Sequence, residues 1–169
     1  LERVSATFKG AASHLTWLIR PNEEINMSDV KNIVLIPGYG IGTEICDVAR
    51  KVVDVAFEKA GVKANWIEKK AGGASIDEFG VPLTEDTINA CKEADAVLLG
   101  AVGGPKWDNL DPAIRPEKAI LGLRKALGLF CNLRPVKIYP ALKEYSPLKP
   151  DLVDNVDFVI VRELTGGIY

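Results

Sequence analysis

The sequence predicts an α/β fold, a largely parallel sheet flanked by helices, and three observations carry the prediction. Short runs that are apolar without a break, Ile33 to Ile36 and Ala96 to Val102, read as strands buried on both faces. Stretches with apolar residues at helical spacing lie between them. Gly and Pro close the strands, as in Pro37-Gly38 and Gly103-Gly104-Pro105. Buried strands alternating with helices give this class.

The bulk properties exclude several function classes. A chain of 169 residues, 47% hydrophobic and 26% charged, has the composition of a globular protein with a real core. A net charge of −2 supplies no field for nucleic acid or an anionic membrane, and no apolar run approaches membrane-spanning length. The three cysteines, Cys46, Cys91 and Cys131, are far apart and form no Cys-x-x-Cys, which argues against a zinc or disulfide framework and for a reducing compartment. The single histidine, His14, is the sole candidate for a histidine base.

In chain order, residues 1–26 read as a leader or a non-native extension without a fixed fold, faintly like a transit peptide; Met27 begins the region 27–169 in which the periodic elements lie. The first strand, Asn32 to Ile36, leads into Gly38-Tyr-Gly-Ile-Gly42. The glycine spacing is not the dinucleotide fingerprint, so a tight turn stands beside a phosphate cradle as its reading. Thr43 is the expected cap of a helix that runs to Gly61, with Ile45, Val48, Val52, Val55 and Ala56 marking one helical face. Val62 to Lys69 alternates as a strand. Gly72-Gly73 and Asp77 to Gly80 read as turns. Thr84 caps a helix over 85–93, and the strand Ala96 to Val102 follows. Residues 105–116 lack periodicity and form a long loop, a usual seat for ligands beyond the end of a buried strand. A helix begins at Glu117, the chain straightens at Pro135, and Val136 to Tyr139 and Val156 to Val161 are further strands. No boundary is visible within 27–169.

The helix from Glu117 carries the chemistry. Ile120 and Leu121 precede Arg124 by four and three residues, so all three share a face, with Glu117 one turn back. Arg134 and Arg162 follow. Guanidinium forks grip carboxylates bidentately, so convergence of these arginines suits a ligand with two carboxylates, and the apolar pair suits a small hydrocarbon branch. The alternative is a solvated surface, where most arginines stand.

Several motifs then occur in one order: Pro37-Gly-Tyr-Gly-Ile-Gly-Thr-Glu-Ile45, Gly100-Ala-Val-Gly-Gly-Pro-Lys-Trp107, Leu123-Arg-Lys125, Asn132-Leu-Arg-Pro135 and Val161-Arg-Glu-Leu-Thr-Gly-Gly-Ile-Tyr169. In them the chain resembles the isopropylmalate dehydrogenases, a branch of the β-decarboxylating dehydrogenases that include isocitrate dehydrogenase. The resemblance runs from about Met27 to Tyr169 and implies a partial fold of that type, an N-terminal portion. It implies NAD-dependent oxidative decarboxylation of 3-isopropylmalate to 4-methyl-2-oxopentanoate, in leucine biosynthesis, by a cytoplasmic enzyme that is a homodimer when full length. A plastid or mitochondrial location follows instead if 1–26 is a transit peptide. Arg124, Arg134 and Arg162 resemble the family's substrate-carboxylate ligands, Ile120 and Leu121 its pocket for the isopropyl branch, and Glu117 the neighbour of the nicotinamide. Tyr169 resembles its catalytic tyrosine. The run Gly104-Pro105-Lys106-Trp107-Asp108-Asn109-Leu110-Asp111-Pro112-Ala113-Ile114-Arg115-Pro116-Glu117 resembles the loop along the cofactor.

The family also uses Mg2+ or Mn2+. The resemblance implies that its protein ligands lie in sequence that follows Tyr169 in relatives; no Asp-x-x-x-Asp pair lies on a helix face here as a substitute. The partner expected is a small-molecule dicarboxylate, with no nucleic acid and no membrane. A second departure is Tyr39, where the family has an acidic residue. A bulky ring tolerates strained turn dihedrals less well than Asp or Asn, so cofactor placement or local stability is where its effect is expected. Two other readings stand beside the first: a related dehydrogenase acting on isocitrate, homoisocitrate or tartrate, and a truncated, inactive binding or assembly module.

Overall fold

An uninterrupted apolar strand needs cover on both faces, and β1 (Val30–Gly38) has it. In the computed structural model, which describes residues 30–164 and Gly166, β1 is the middle strand of a three-stranded parallel sheet. β2 (Lys63–Glu68) pairs on one side, with Ile33 opposite Trp66, and β3 (Ala96–Ala101) on the other, with Leu35 opposite Leu98. Val34 and Ile36 are fully buried, in a core with Ala71, Cys91, Ala119 and Leu123. Side chains alternate along a strand, so Ile33 and Leu35 face the opposite layer.

That opposite layer is α1 (Ile41–Ala60), which ends at Gly61 in the left-handed conformation. The apolar face of α1 marked by the sequence is not the face laid against the sheet. Gly42 and Cys46 are buried, and Ala49, Val53 and Phe57 are half-buried behind them, whereas Ile45, Val48, Val52, Val55 and Ala56 are exposed. Arg50 lies over the Trp66 ring at 5.6 Å, and the Trp66 indole donates to Asp54 at 2.7 Å, so the polar flank of α1 turns toward β2. The apolar flank, with Ile41, therefore turns toward the β3 side of the sheet. The sequence could not separate these flanks, because an apolar stripe is the same signal whichever neighbour covers it.

α2 (Gly73–Phe79) is another correction: residues read as turns form a short helix, stopped at Gly80 by a left-handed residue. α3 (Glu85–Glu93) is as expected, its Thr84 hydroxyl accepting the Thr87 N–H at 3.2 Å. α4 (Glu117–Ala126) puts Ala119 and Leu123 into the core.

The described residues form two compact units that meet in sequence at Gly128 and Leu129. No linker composition marks the junction. In the second unit β4 (Cys131–Lys137) and β5 (Asp157–Glu163) form an antiparallel ribbon, with a 3-10 turn (Pro140–Tyr145) and α5 (Pro150–Val153) between them. β4 starts at Cys131, before the Pro135 that was expected to open it. Among the described residues β4 has a neighbour on only one side, and such a strand tolerates a residue without an N–H. Lys137 and Asp157, directly opposite, are ion-paired at 3.2 Å, and Lys143 reaches Asp154 at 2.6 Å. Cys46 and Cys91 are buried and Cys131 half-buried, all as free thiols; burial raises the pKa of the first two. Among the described residues no helix is long and apolar enough to cross a membrane.

The burial pattern separates two substitutions that look alike in sequence. Ile36→Ala, in the closed core, is expected to cost about 2–5 kcal/mol. Val52→Ser, at a site 63% exposed, stays within about 0.5 kcal/mol. Urea unfolding of the two variants checks this, and an equal cost at both sites contradicts the assignment of faces.

Candidate functional site

The chain leaves β1 for β2 on one side, then returns across β1 to β3 on the other. The carboxyl ends of β1 and β3 therefore flank a topological switch point, where open α/β sheets bind ligands. The glycine-rich turn sits there. Gly38 (φ 76°) and Gly40 (φ 59°) carry the positive dihedrals, so Tyr39 between them takes no left-handed strain. The strain anticipated for a bulky residue in this turn is absent because its neighbours absorb it.

Close approach explains the other glycines. A Cβ on Gly42 would lie 2.1 Å from the Pro37 carbonyl oxygen, and one on Gly100 would lie 2.4 Å from the same atom. Tyr39 N–H donates to Ala101 O at 2.7 Å, and Gly42 N–H to Tyr39 O at 3.1 Å. Donors committed within the turn support the tight-turn reading over the phosphate cradle. Gly40, not Thr43, is the residue capping α1; the Thr43 hydroxyl donates back to Gly40 O at 3.1 Å.

The loop that starts at Gly104 is braced at both ends. Pro105–Trp107 is a 3-10 turn that buries Trp107 to 3% exposure. The Trp107 ring occupies the space a side chain on Gly73 would need, and its indole N–H donates to Asp77 Oδ1 at 3.3 Å. Lys106 Nζ donates to Asp77 Oδ2 at 2.6 Å and lies 5.2 Å from the Trp107 ring centroid. Tyr39 meets Trp107 edge-on, with centroids 4.6 Å apart and planes at 88°. Beyond Asp108 and Asn109, Arg115 Nε donates to Leu110 O at 3.0 Å, the Asp111 carboxylate accepts the Ala113 N–H at 2.8 Å, and Ile114 N–H donates to Asp111 O at 2.9 Å, so Asp111-Pro112-Ala113-Ile114 is held by local hydrogen bonds. Pro116 is buried and hands the chain to Glu117, whose Oε1 lies 3.2 Å from where a Cβ on Gly103 would stand.

α4 presents the expected face. Glu117 and Leu121 are exposed, Leu121 by 54%, and Ile120 and Arg124 are half-buried beside them. In the other unit, Arg162 lies opposite Asn132 and Arg134 opposite Ile160, which makes the two arginines diagonal neighbours on one face of the ribbon. Arg134 is exposed and Arg162 half-buried. Tyr169 and His14 lie outside the described residues. Sequence reasoning missed Asp77, which was read as part of a turn; no local pattern links it to Lys106 and Trp107, some thirty residues later.

Among the described residues no three His, Cys, Asp or Glu side chains gather to hold a metal ion, so these residues do not fit a divalent-cation site of their own. A hollow of about 440 Å³ runs along α3, lined by Asn32, Ile67, Asn89 and Glu93 among others, and includes no residue of the expected site.

Comparison with known proteins gives a consistent set of relatives. Residues 32–169 match the isocitrate/isopropylmalate dehydrogenase family model. The chain is 57% identical over 138 residues to a 3-isopropylmalate dehydrogenase of Clostridium acetobutylicum, a match covering 81% of this chain and 39% of that protein. It is 54% identical over 139 residues to the 3-isopropylmalate dehydrogenase of Bacillus subtilis, covering 82% and 38%. The chain thus spans well under half the length of the curated relatives it matches. Among solved structures, a β-decarboxylating dehydrogenase from Thermococcus kodakarensis superimposes with a TM-score of 0.59 at 31% identity, over 81% of this chain and 35% of that one. An isocitrate dehydrogenase from Methylococcus capsulatus gives 0.61 at 29% identity, over 79% and 34%.

Electrostatics at the Trp107 brace is testable. The hydrogen bond from Lys106 holds the Asp77 carboxyl below its ordinary value of 3.8, with the Trp107 hydrogen bond adding to the effect. A depressed carboxylate stabilises the fold above its unfolded pKa, and that contribution is lost as pH falls through the folded one. Asp77→Asn is therefore expected to lower Tm near neutrality and to flatten the fall in Tm between about pH 5 and about pH 3. Melting curves of the two forms across that window check it; parallel falls count against the brace.

Proposed function

The chain belongs to the isocitrate/isopropylmalate dehydrogenase family, and on that premise we propose that it contributes to the NAD-dependent oxidative decarboxylation of 3-isopropylmalate to 4-methyl-2-oxopentanoate, a step toward leucine. The observation that carries the proposal is the outer face of α4. An aliphatic pair, Ile120 and Leu121, stands beside Arg124 with Glu117 one turn back. A large aliphatic half open to solvent next to a guanidinium matches a substrate that is anionic at one end and hydrocarbon at the other. Isocitrate, homoisocitrate and tartrate place polar groups where the isopropyl branch would rest, and a bare aliphatic surface leaves those groups unpaired.

In this reading Arg124, Arg134 and Arg162 grip the two substrate carboxylates, guanidinium forks being matched to carboxylates bidentately. Ile120 and Leu121 exclude water from the branch. Tyr169 holds the proton that is returned to the enol carbon; a free phenol titrates near ~10, so its surroundings would have to assist. Gly104 to Glu117 would hold NAD, which when bound would serve as the hydride acceptor. Gly103 and Gly104 place backbone without side chains beside the Glu117 carboxylate, which is what supports placing such a group there. Mg2+ or Mn2+ would take its protein ligands from outside the described residues. A cytoplasmic homodimer is the assembly we assign by family.

The native protein carrying these residues is expected to prefer 3-isopropylmalate over isocitrate in kcat/KM. Leu121→Ala is expected to lower kcat/KM for 3-isopropylmalate by about 10- to 100-fold and to leave that for isocitrate within a few-fold. Steady-state kinetics with both substrates checks this; preference for isocitrate overturns the assignment.

A further inference from the structure

Tyr39 has no role in the reading above, yet its position is defined from every side. Positive dihedrals at Gly38 and Gly40, together with the 2.7 Å hydrogen bond from its own N–H to Ala101, fix its backbone at the end of β1. The edge-on contact with Trp107 fixes its ring. Trp107 is itself buried, packed on Gly73 and hydrogen-bonded to Asp77, so the ring leans on a rigid support. Tyr39 nevertheless remains 43% exposed, and its hydroxyl makes no hydrogen bond among the described residues.

The surroundings give that exposed ring a direction. A Cβ on Gly104 would touch Trp107 at 3.5 Å and Tyr39 at 3.9 Å, and one on Gly103 would meet Glu117 Oε1 at 3.2 Å. Tyr39, Gly104, Gly103 and Glu117 therefore follow one another along the carboxyl end of the sheet. The Tyr39 ring borders Gly104, the Glu117 carboxylate borders Gly103, and the backbone between them carries no side chain. Such an arrangement suits a flat ring that carries an amide or amine donor, with the ring against the aromatic and its N–H groups toward the acceptor.

We propose that Tyr39 is a positioning residue for the cofactor, its ring forming a stacking wall for one flat heteroaromatic end of a bound nicotinamide dinucleotide. The inference rests on the reading of Gly104 to Glu117 as the cofactor loop, and the test keeps the two apart. Stacking of a base on an aromatic side chain is worth about 1–3 kcal/mol, and ~1.4 kcal/mol is tenfold in Kd. In the native protein, Tyr39→Leu is expected to weaken NAD binding by about tenfold in calorimetry, while Tyr39→Phe stays within about twofold.

A second measurement does not depend on a variant that removes the ring. Titration of the unchanged protein with NAD, followed by NMR of ring-labelled tyrosine, is expected to move the Tyr39 ring signals upfield, the signal being assigned by its loss in Tyr39→Phe. Titration with AMP and with nicotinamide mononucleotide separately identifies which ring stacks. If NAD binds but neither the Kd nor the Tyr39 signals respond, the ring is only a brace for Trp107 and the inference is overturned. If the unchanged protein does not bind NAD at all, the reading of the loop fails and takes the inference with it.

Discussion

The constraint on which the first unit depends is the backbone seam between the start of α1 and the ends of β1 and β3. The Pro37 carbonyl lies so near both Gly42 and Gly100 that neither position accepts even a methyl group. This approach lets Tyr39 reach Ala101 with its N–H and sets the register in which Gly38 meets Ala101 across the sheet. Gly103 and Gly104 follow directly on that register, so the floor beside Glu117 inherits its position from it. A shift of α1 by the width of one methyl would move the turn, the Tyr39 ring and the Trp107 contact together.

The second unit works by a different principle. Its arginines are brought together by an antiparallel register, not by close packing, and most of the ribbon is exposed. One-residue slippage would send Arg134 and Arg162 to opposite faces, because side chains alternate with period two. The ion pair between Lys137 and Asp157 contributes little energy at an exposed site, yet it is compatible with this register and not with its neighbours.

What was legible in the sequence follows from which signals are local. β1 and β3 announced themselves as unbroken apolar runs, α3 through its Thr84 cap, and the outer face of α4 through spacing within ten residues. The direction of the α1 stripe was not legible, since periodicity says that a face is apolar but not what lies against it. Nor was the tie from Asp77 to Lys106 and Trp107, which joins α2 to a loop through a contact no sequence window spans. The diagonal placement of Arg134 and Arg162 required the ribbon register. Family resemblance supplied their chemistry, while their common face came from pairing alone. Tyr39 was legible as an oddity, but its lack of strain came from two flanking glycines that a motif comparison does not weigh.

The apolar flank of α1 has a thermodynamic consequence. Heat-capacity change and denaturant sensitivity both scale with the surface newly exposed on unfolding. Ile41, Ile45, Val48, Val52 and Val55 are already in contact with water in the folded chain. For these residues taken alone, unfolding the unit uncovers less new hydrocarbon than its size suggests. The stability curve expected of them is correspondingly broad and shallow, with a gradual transition in denaturant for a domain of this length.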